Sequence, residues 1–518
     1  MWKRYRSALV SVGIILALVV LAYAGLGATK AASVLLSGLT LAALYFLMAA
    51  GLSLIFGLMD VLNFAHGVLF MVGAYIGYST FGNPRLLLNT LPLVLTLVAG
   101  VMVGTWVARP LHTWEQGLRR RVAAGEAGSG GRQIAANVFA RLTPSLALAV
   151  LGIAVAVWAA RGFPISSLVA FETTATGGAI STAVAQEALA PMLGRLVRLA
   201  LAGLLLGPVF IRGDDESQCR GAAWRRIAAV AALVAAGAVL LLARDPLEGF
   251  MMGLSIDIRF ALALLAGAIT GALLGGLIES VLVRPFYGNV VTQIVLTLGL
   301  SFVGVELVEA VWGPEGRPPM AVPSFFAESC RSPNLFAWFT ESCSSIDVLG
   351  RAFPTYRLFI IAVGVVILVA VGVLLRYSRL GMIIRAGVQD REMVEALGIN
   401  VRRVFTLVFA LGSALAALGG VVAAPFIGVY PEMGGIFQLQ GFIAVVIGGM
   451  GSYLGTAVGS LLIGLARAFG DALVTAGITF PWAEQPFMAS PALARASTVL
   501  IMAVVLLVRP AGIFGKKE

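Results

Sequence analysis

Charged side chains are scarce in this chain of 518 residues. Asp, Glu, Lys and Arg together make up 12% of the sequence, whereas roughly 25% is usual for a soluble domain. The chain has two histidines and no third metal ligand within reach in the sequence, so we predict no metal site. It also lacks a G-x-x-x-x-G-K-[ST] phosphate loop and a paired nucleophile and base. We therefore predict no catalytic residues and no directly bound cofactor.

Long apolar runs dominate what is present. The sequence is 59% hydrophobic and has a mean hydropathy of +0.97. Because about 20 apolar residues span a bilayer as a helix, we predict an all-α, polytopic transmembrane helical bundle of about 14 spans. These predicted spans are residues 8–27, 31–56, 60–80, 91–108, 143–160, 195–211, 226–243, 258–283, 291–312, 356–376, 405–428, 437–450, 453–470 and 495–508. The run at 437–450 is too short to cross untilted, and a re-entrant segment is its alternative.

Basic residues give the predicted spans an orientation. If the chain starts inside, the loops 109–142, 212–225, 284–290 and 377–404 are cytoplasmic, and most Lys and Arg then lie inside. This is the positive-inside rule, and it makes both termini cytoplasmic. The same rule accounts for the net charge of +11, so we predict no nucleic-acid partner. We interpret 8–27 as a first span, with a cleaved signal peptide as the alternative.

Two of the three cysteines fall on the outside in this topology. Cys330 and Cys343 both lie in the long loop 313–355, about a dozen residues apart. An outside loop is oxidising, so a disulfide is the first hypothesis and two free thiols are the second. Cys219 falls on the inside, where we expect it to be reduced.

Glycine is frequent, with 61 residues. Since lipid provides little hydrophobic force between helices, small residues at helix interfaces let backbones approach closely. We predict that the clearest clusters serve helix packing. They are Gly271, Gly275 and Gly276, and Gly412, Gly419 and Gly420.

A polar segment lies between two apolar runs at 376–403. Within it, Asp390 can cap a short helix that carries Glu392, Glu395, Ala396 and Leu397, and Gly398 can end that helix. A short capped helix on a basic loop between two spans predicts a surface for a soluble partner. The alternative for the two glutamates is an ordinary solvated helix face.

A second polar motif lies in an apolar segment near the N-terminus. Asn63 and His66 are three residues apart, on what we predict to be one helix, and Gly67 follows directly. A polar pair in the membrane must be satisfied by neighbours or water. The pair therefore forms either a structural hydrogen bond between helices or part of a translocation path. Asp60 is expected at a membrane surface or a helix break.

Four sequence blocks resemble one family. Residues 51–78 read GLSLIFGLMDVLNFAHGVLFMVGAYIGY, and residues 276–313 read GLIESVLVRPFYGNVVTQIVLTLGLSFVGVELVEAVWG. Residues 385–420 read RAGVQDREMVEALGINVRRVFTLVFALGSALAALGG, and residues 442–464 read FIAVVIGGMGSYLGTAVGSLLIG, followed by VRPAGIFG at 508–515. These blocks, in this order, are similar to those of branched-chain amino-acid ABC transporter permeases of the Liv type.

The resemblance implies a permease subunit of an importer in the bacterial cytoplasmic (inner) membrane, surrounded by membrane lipid. It implies that branched-chain amino acids or related small amide or amino-acid solutes enter the cytoplasm. The implied partners are two ATPase subunits that bind ATP, a second permease subunit and a periplasmic solute-binding protein. The segment at about 390–398 would be the coupling helix that docks an ATPase, and residues 63, 66 and 67 are candidates for the path.

The chain departs from the family pattern in length and at two positions. Residues 85–257 form a predicted insertion of about four helices between an N-terminal permease part, 1–84, and a C-terminal part, 258–518. Val68 stands where the family often has an acidic or small polar residue, and Asp60 where a basic or polar residue is common. The departures at Val68 and Asp60 bear on which solute the protein carries and not on its class of transporter.

The second hypothesis for function is an ion-coupled secondary transporter of a small polar solute. Such proteins use ionisable residues within the membrane, and Glu279, Glu306 and Glu309 are the candidates here. Hydrogen bonding between helices or at the membrane interface explains each of them more simply. A membrane-embedded enzyme is disfavoured, because no polar constellation of catalytic type occurs.

Overall fold

The protein is represented by a computed structural model. It describes residues 27–82, 84–111, 113–115, 144–161, 189–210, 223–389, 391–475, 488–509 and 511–515, together with isolated residues between these ranges. The first predicted span, 8–27, falls almost wholly outside the described residues. Each of the other predicted spans overlaps a helix.

The chain divides into two compact units. The core unit comprises Met1–Phe81 and Ser255–Glu518, and the inserted unit comprises Gly82–Leu254. These bounds lie close to the predicted insertion at 85–257. Within the described part of the chain, seven helices are long and apolar enough to cross a membrane, and an eighth is counted if one bent pair forms a single span.

The core unit is built mainly from apolar helices, and a long loop, residues 313–354, separates two of them. Its helices are α1 (Ala28–Met59), α2 (His66–Gly82), α8 (Ile256–Ile278), α9 (Val290–Trp312), α11 (Thr355–Tyr377), α12 (Arg379–Gln389), α13 (Arg391–Ala396), α14 (Val401–Ile427), α15 (Met433–Gly448), α16 (Tyr453–Thr475) and α17 (Pro491–Val508). A π-helical turn, Glu279–Val283, and a 3-10 turn, Arg284–Phe286, extend α8.

The inserted unit is also helical. Its described helices are α3 (Arg85–Val107), α4 (Pro144–Ala160), α5 (Leu189–Leu206), α6 (Ala223–Leu242) and α7 (Arg244–Gly253), and the strands β1 (Glu172–Thr173) and β2 (Ala179–Ile180) pair antiparallel. The axis turns by 71° between α6 and α7. Arg85, at the start of α3, forms an ion pair with Glu248 on α7. A side chain on Gly104 of α3 would overlap the backbone of Leu204 on α5.

Small residues allow the core helices to touch through their backbones. A side chain at Gly420 of α14 would overlap the backbone of Phe70 on α2, and one at Gly412 would lie 2.9 Å from the Gly51 carbonyl of α1. Gly275 of α8 packs against the side chain of Ser413 on α14. These contacts confirm the predicted packing role of the glycine clusters. They also explain why α1 and α14 are the most buried of the long helices.

The loop between α9 and α11 has a fold of its own. It contains the strands β3 (Glu328–Ser332), β4 (Cys343–Val348) and β5 (Arg351–Pro354) and the short helix α10 (Leu335–Glu341). The sheet order is β3-β4-β5, with β3 parallel and β5 antiparallel to β4. A disulfide joins Cys330 and Cys343, whose Cα atoms are 4.8 Å apart. This sheet was not predicted from the sequence, because its strands are short and carry no long apolar pattern.

The position of the disulfide distinguishes the two ends of the helix bundle. Helices α1 and α11 start on its side and run in the same direction, with Arg357 Nη1 donating to Ser37 Oγ at 3.3 Å and Gly364 packed on Ala43. We call this end the disulfide side. At the opposite end, Leu58 of α1 packs in one apolar cluster with Val394 of α13. We call that end the α13 side.

Loss of the disulfide should loosen this loop. Since it closes a separation of 13 residues, we expect Cys330→Ser with Cys343→Ser to lower the free energy of local opening by about 3 kcal/mol. Trypsin cleavage at the exposed Arg331 and Arg351 should accelerate by up to about 100-fold when opening precedes cleavage. Cys219→Ser is the control and should leave the rate unchanged. Equal cleavage rates in all three proteins would contradict the structural role of the disulfide.

Candidate functional site

The chain breaks between α1 and α2. Helix α1 ends at Met59, and Asp60 has left-handed backbone geometry, with φ +53° and its N–H bonded to the Phe56 carbonyl. Residues 60–65 are not helical. Asp60 is exposed, in agreement with its predicted place at a surface or break.

The prediction that Asn63 and His66 share one helix was wrong. Asn63 lies in the break, where its side-chain Oδ1 accepts the Ala65 N–H at 3.0 Å, and His66 is the first residue of α2. Asparagine competes for backbone hydrogen bonds in this way, so it favours helix starts over helix interiors. An apolar periodicity alone could not reveal this competition.

His66 lies deep in the core unit. It is 0% exposed, and a side chain added at Gly51 would lie 2.6 Å from its Nε2. Among the described residues, neither ring nitrogen has a hydrogen-bond partner. Gly51 precedes the end of α1 at Met59 by eight residues (59 − 51), about 12 Å along the helix axis. The break therefore folds back along α1, and α2 begins inside the membrane.

Helices α9 and α15 enclose the break. Thr297 of α9 accepts the Phe64 N–H at 3.2 Å, and Gln438 of α15 donates to the Asn63 carbonyl at 3.2 Å. The backbones of Gly67 and Gly434 touch, and a side chain at Gly434 would lie 2.6 Å from the Gly67 carbonyl. These contacts surround the irregular backbone with protein, which is the condition for tolerating it at membrane depth.

Helix α15 is itself short. Its 16 residues extend about 24 Å, less than the roughly 30 Å hydrocarbon core. The structure thus brings two incomplete helices, α2 and α15, together at Gly67 and Gly434. Paired short helices of this kind are typical of transporter sites near the bilayer midplane.

The residues that reach the surface beside the break differ from those the sequence singled out. Asn63, His66 and Gly67 are all buried within the chain, whereas Phe64 and Val68 are partly exposed. Leu439 of α15 and Glu306 of α9 are exposed. The residues predicted from the sequence were polar, and Phe64 and Val68 were not among them. Val68 could have been identified from the sequence, because it departs from the family pattern.

The second predicted site is the short helix α13. The Gly398 N–H donates to the Glu395 carbonyl at 3.0 Å and the Ile399 N–H to the Val394 carbonyl at 3.3 Å, while Gly398 has φ +80°. A left-handed glycine therefore ends the helix, as predicted. The predicted cap, Asp390, and the side chain of Glu392 lie outside the described residues.

Helix α13 has a buried face and an exposed face. Val394 is 2% exposed and belongs to an apolar cluster with Leu58, Ile384 and Val401. Glu395, Ala396 and Leu397 are exposed. The arrangement fixes the helix to the bundle through one side and leaves the other side available at the protein surface.

A largely buried ion pair joins the end of α8 to the start of α14. Glu279, which is fully buried in the π-helical turn, accepts hydrogen bonds from Arg284 Nε and Nη2 at 3.0 and 2.7 Å and from the Tyr287 hydroxyl at 2.6 Å. Arg284 also donates to Thr406 Oγ1, in the second turn of α14. Hydrogen bonding therefore explains why a glutamate is buried at position 279. This was the simpler alternative to a role in ion coupling.

The other two glutamates of that hypothesis lie on α9. Glu306 is exposed and Glu309 is partly exposed. Unlike Glu279, they do not lie in the interior of the chain. The three residues thus share no common site.

The sequence is similar to known proteins. A family model described as branched-chain amino acid transport system / permease component matches residues 34–115 and 136–508. The chain belongs to this permease family. LivH of Salmonella typhimurium (strain LT2), the high-affinity branched-chain amino acid transport system permease protein, is 31% identical over 271 residues, or 52% of this chain and 79% of LivH.

Other relatives of this permease follow the same pattern. LivH of Escherichia coli (strain K12) is similar at the same identity and coverage. BraD of Pseudomonas aeruginosa, a high-affinity branched-chain amino acid permease protein, is 30% identical over 42% of this chain and 68% of BraD. The ribose import permease protein RbsC of Escherichia coli (strain K12) is 28% identical over 41% of this chain and 61% of RbsC. No solved structure matches the chain significantly.

Membership of the family establishes the class of protein. The chain is a multi-pass membrane permease subunit of an ABC importer, not an enzyme. ATP hydrolysis in such importers takes place on partner subunits. The alternative of an ion-coupled secondary transporter loses its support, since the family is shown and Glu279 is paired.

The ion pair yields a stability prediction. Glu279→Gln should leave the Arg284 charge buried and uncompensated, which typically costs about 3–5 kcal/mol. Combining Glu279→Gln with Arg284→Met removes both charges and should restore most of that loss. Unfolding of the purified protein in detergent measures both variants. If the single and double variants lose equal stability, the two residues do not act as a pair.

Proposed function

We propose that this permease carries branched-chain amino acids, or chemically related small amino-acid or amide solutes, across a bacterial cytoplasmic membrane. The observation that carries the proposal is the match over 34–115 and 136–508, with LivH and BraD at 31% and 30% identity. The ribose permease RbsC is also similar, at 28%. Uptake assays therefore include ribose as a competing solute.

The proposed assembly contains two ATPase subunits, a second permease subunit and a periplasmic solute-binding protein. The sequence lacks a phosphate loop, which supports the proposal that ATP binds to separate subunits. We further propose that the α13 side is cytoplasmic and the disulfide side periplasmic, so that both termini are cytoplasmic. The basic residues of 377–404 and the disulfide of the opposite loop both favour this orientation.

Helix α13 is the proposed docking element for an ATPase subunit. Its exposed face presents Glu395, Ala396 and Leu397, and Gly398 ends the helix beside them. Asp390 and Glu392 complete the proposed interface by their positions in the sequence. The buried Val394 would transmit a push or pull on this helix to the apolar cluster beneath it.

The ion pair extends this proposed connection into the bundle. Helix α14 starts at Val401, four residues after Leu397, and Arg284 contacts Thr406 one turn into it. Arg284 is held in turn by Glu279 at the end of α8. A displacement of α13 would thus reach α14 and α8 together, and α14 packs against Gly51 of α1 and Phe70 of α2.

The broken helix is the proposed centre of the translocation path. Asn63, His66 and Gly67 support it from inside, because they hold the break against α1 and α15. Phe64 and Val68 are the partly exposed side chains of the same segment. Apolar side chains at this place suit a solute with an aliphatic side chain better than a sugar.

A change on α13 tests the coupling proposal. Glu395→Arg together with Gly398→Pro should alter the docking face and remove the glycine whose φ is +80°, a value that proline cannot adopt. We expect ATP hydrolysis by the assembled importer to persist while uptake falls by at least about tenfold. This fall corresponds to a rise of about 1.4 kcal/mol in the free-energy barrier to transport. Uptake and hydrolysis are measured together in proteoliposomes.

The matched control is Glu315→Arg, an equal change of charge at an exposed position on the disulfide side. It should leave both rates unchanged. Normal uptake by the double variant would refute the assignment of α13. If the double variant fails to fold, its loss of uptake says nothing about coupling. The single variant Glu395→Arg is then measured, and it must reduce uptake for the proposal to stand.

A further inference from the structure

The helix α10 carries an aromatic patch that lies outside the proposed translocation path and the proposed coupling helix. Its side chains Leu335, Phe336 and Phe339 are 54%, 87% and 63% exposed. No charged residue occurs between Arg331 and Glu341. Leaving a large apolar side chain in water forgoes roughly 1.5–3 kcal/mol of burial, and grouped exposure of this kind marks an interaction surface.

Local contacts hold the patch in its exposed position. Asn334 caps α10, with its Oδ1 accepting the Phe336 and Ala337 N–H groups at 3.0 and 2.8 Å. The buried Trp338 donates through Nε1 to the Cys343 carbonyl at 3.0 Å, beside the disulfide. The cap and Trp338 fix the helix on its inner face, and Phe336 and Phe339 remain largely exposed.

A chain of ring contacts places α10 beside the ends of two spans. Phe326 stacks on Trp338 with ring centroids 5.6 Å apart and contacts Tyr356 and Phe359 at 5.7 and 5.4 Å. Both belong to the first turns of α11. Phe260, near the start of α8, contacts Tyr356 at 6.4 Å. The patch therefore lies at the level where α8 and α11 begin.

The exposed surfaces of these two spans are apolar. On α11 they include Val365, Val366, Val369 and Val373, and on α8 Leu265, Ile269, Leu273 and Leu277. These are the side chains expected against lipid tails. Phe339 contacts Phe325, and Phe325 contacts Phe326, at 6.1 and 5.5 Å. These ring contacts join the aromatic patch, through Phe325 and the buried Phe326, to the start of α11.

We propose that α10 is an interfacial membrane anchor. Leu335, Phe336 and Phe339 insert at the boundary between headgroups and acyl chains of the leaflet on the disulfide side, where aromatic residues are favoured. Because 332–340 carries no basic residue, the anchor needs no anionic lipid. It holds the disulfide-closed loop against the bilayer. The proposal is independent of the transported solute and of the coupling role of α13.

Depth-dependent fluorescence quenching tests the anchor in the full-length protein. In a Cys219→Ser background, Phe336→Cys is labelled with an environment-sensitive fluorophore, after mass spectrometry shows the disulfide intact. The protein is reconstituted into phosphatidylcholine vesicles that contain nitroxide lipids. A nitroxide near the headgroup end of the acyl chain should lower emission about twofold, as expected for a group at the interface. Aqueous iodide should quench the label weakly.

Val366→Cys, near the middle of α11, is the depth reference and should respond best to a nitroxide near the methyl end of the chain. Strong iodide quenching of the label at position 336, without lipid quenching, would overturn the proposal. So would shielding that appears only after a solute-binding protein is added, because the patch would then be a protein-docking surface. Phe339→Cys repeats the measurement and must agree with position 336.

Discussion

Direct contact between helix backbones is the constraint on which the rest of this structure depends. No side chain separates the backbones of neighbouring segments at three contacts: Gly51 with Gly412, Gly67 with Gly434, and Gly420 with Phe70. Lipid supplies little hydrophobic force between helices, so this close packing has to hold them together. The same contacts enclose the break at 60–65 and let α2 and α15 begin within the membrane. A bundle spaced by larger side chains would leave the backbone of the break exposed to lipid, where each unpaired group costs several kcal/mol.

The two regions that the sequence singled out are connected through this packing. Helix α13 is anchored by Val394, and the following helix α14 contacts Arg284 of the ion pair near its start. Farther along, Gly412 of α14 contacts Gly51 of α1, which lies beside His66. Helices move as stiff bodies, so a displacement at one end of α14 is felt at the other. The buried ion pair joins α8 to the same body. The physical basis of the proposed coupling is therefore one well-packed helix rather than a long series of side-chain contacts.

The sequence was sufficient for features governed by local rules. Apolar run length located the helices, and glycine with its neighbours predicted both the end of α13 at Gly398 and the packing clusters around Gly412 and Gly275. The family resemblance identified the permease. Features set by distant contacts were missed. The break around Asn63 is held by Thr297 and Gln438, more than 200 residues away. The sheet around the disulfide likewise depends on pairing between short strands.

The most direct test of the central claim is solute uptake by the purified permease in proteoliposomes, with its ATPase and permease partners and binding protein present. The account predicts that labelled leucine enters only with hydrolysable ATP, and that unlabelled isoleucine or valine competes while ribose does not. It also predicts that omitting the ATPase subunits abolishes uptake. Leucine uptake that proceeds without ATPase subunits and follows an imposed ion gradient would contradict the account.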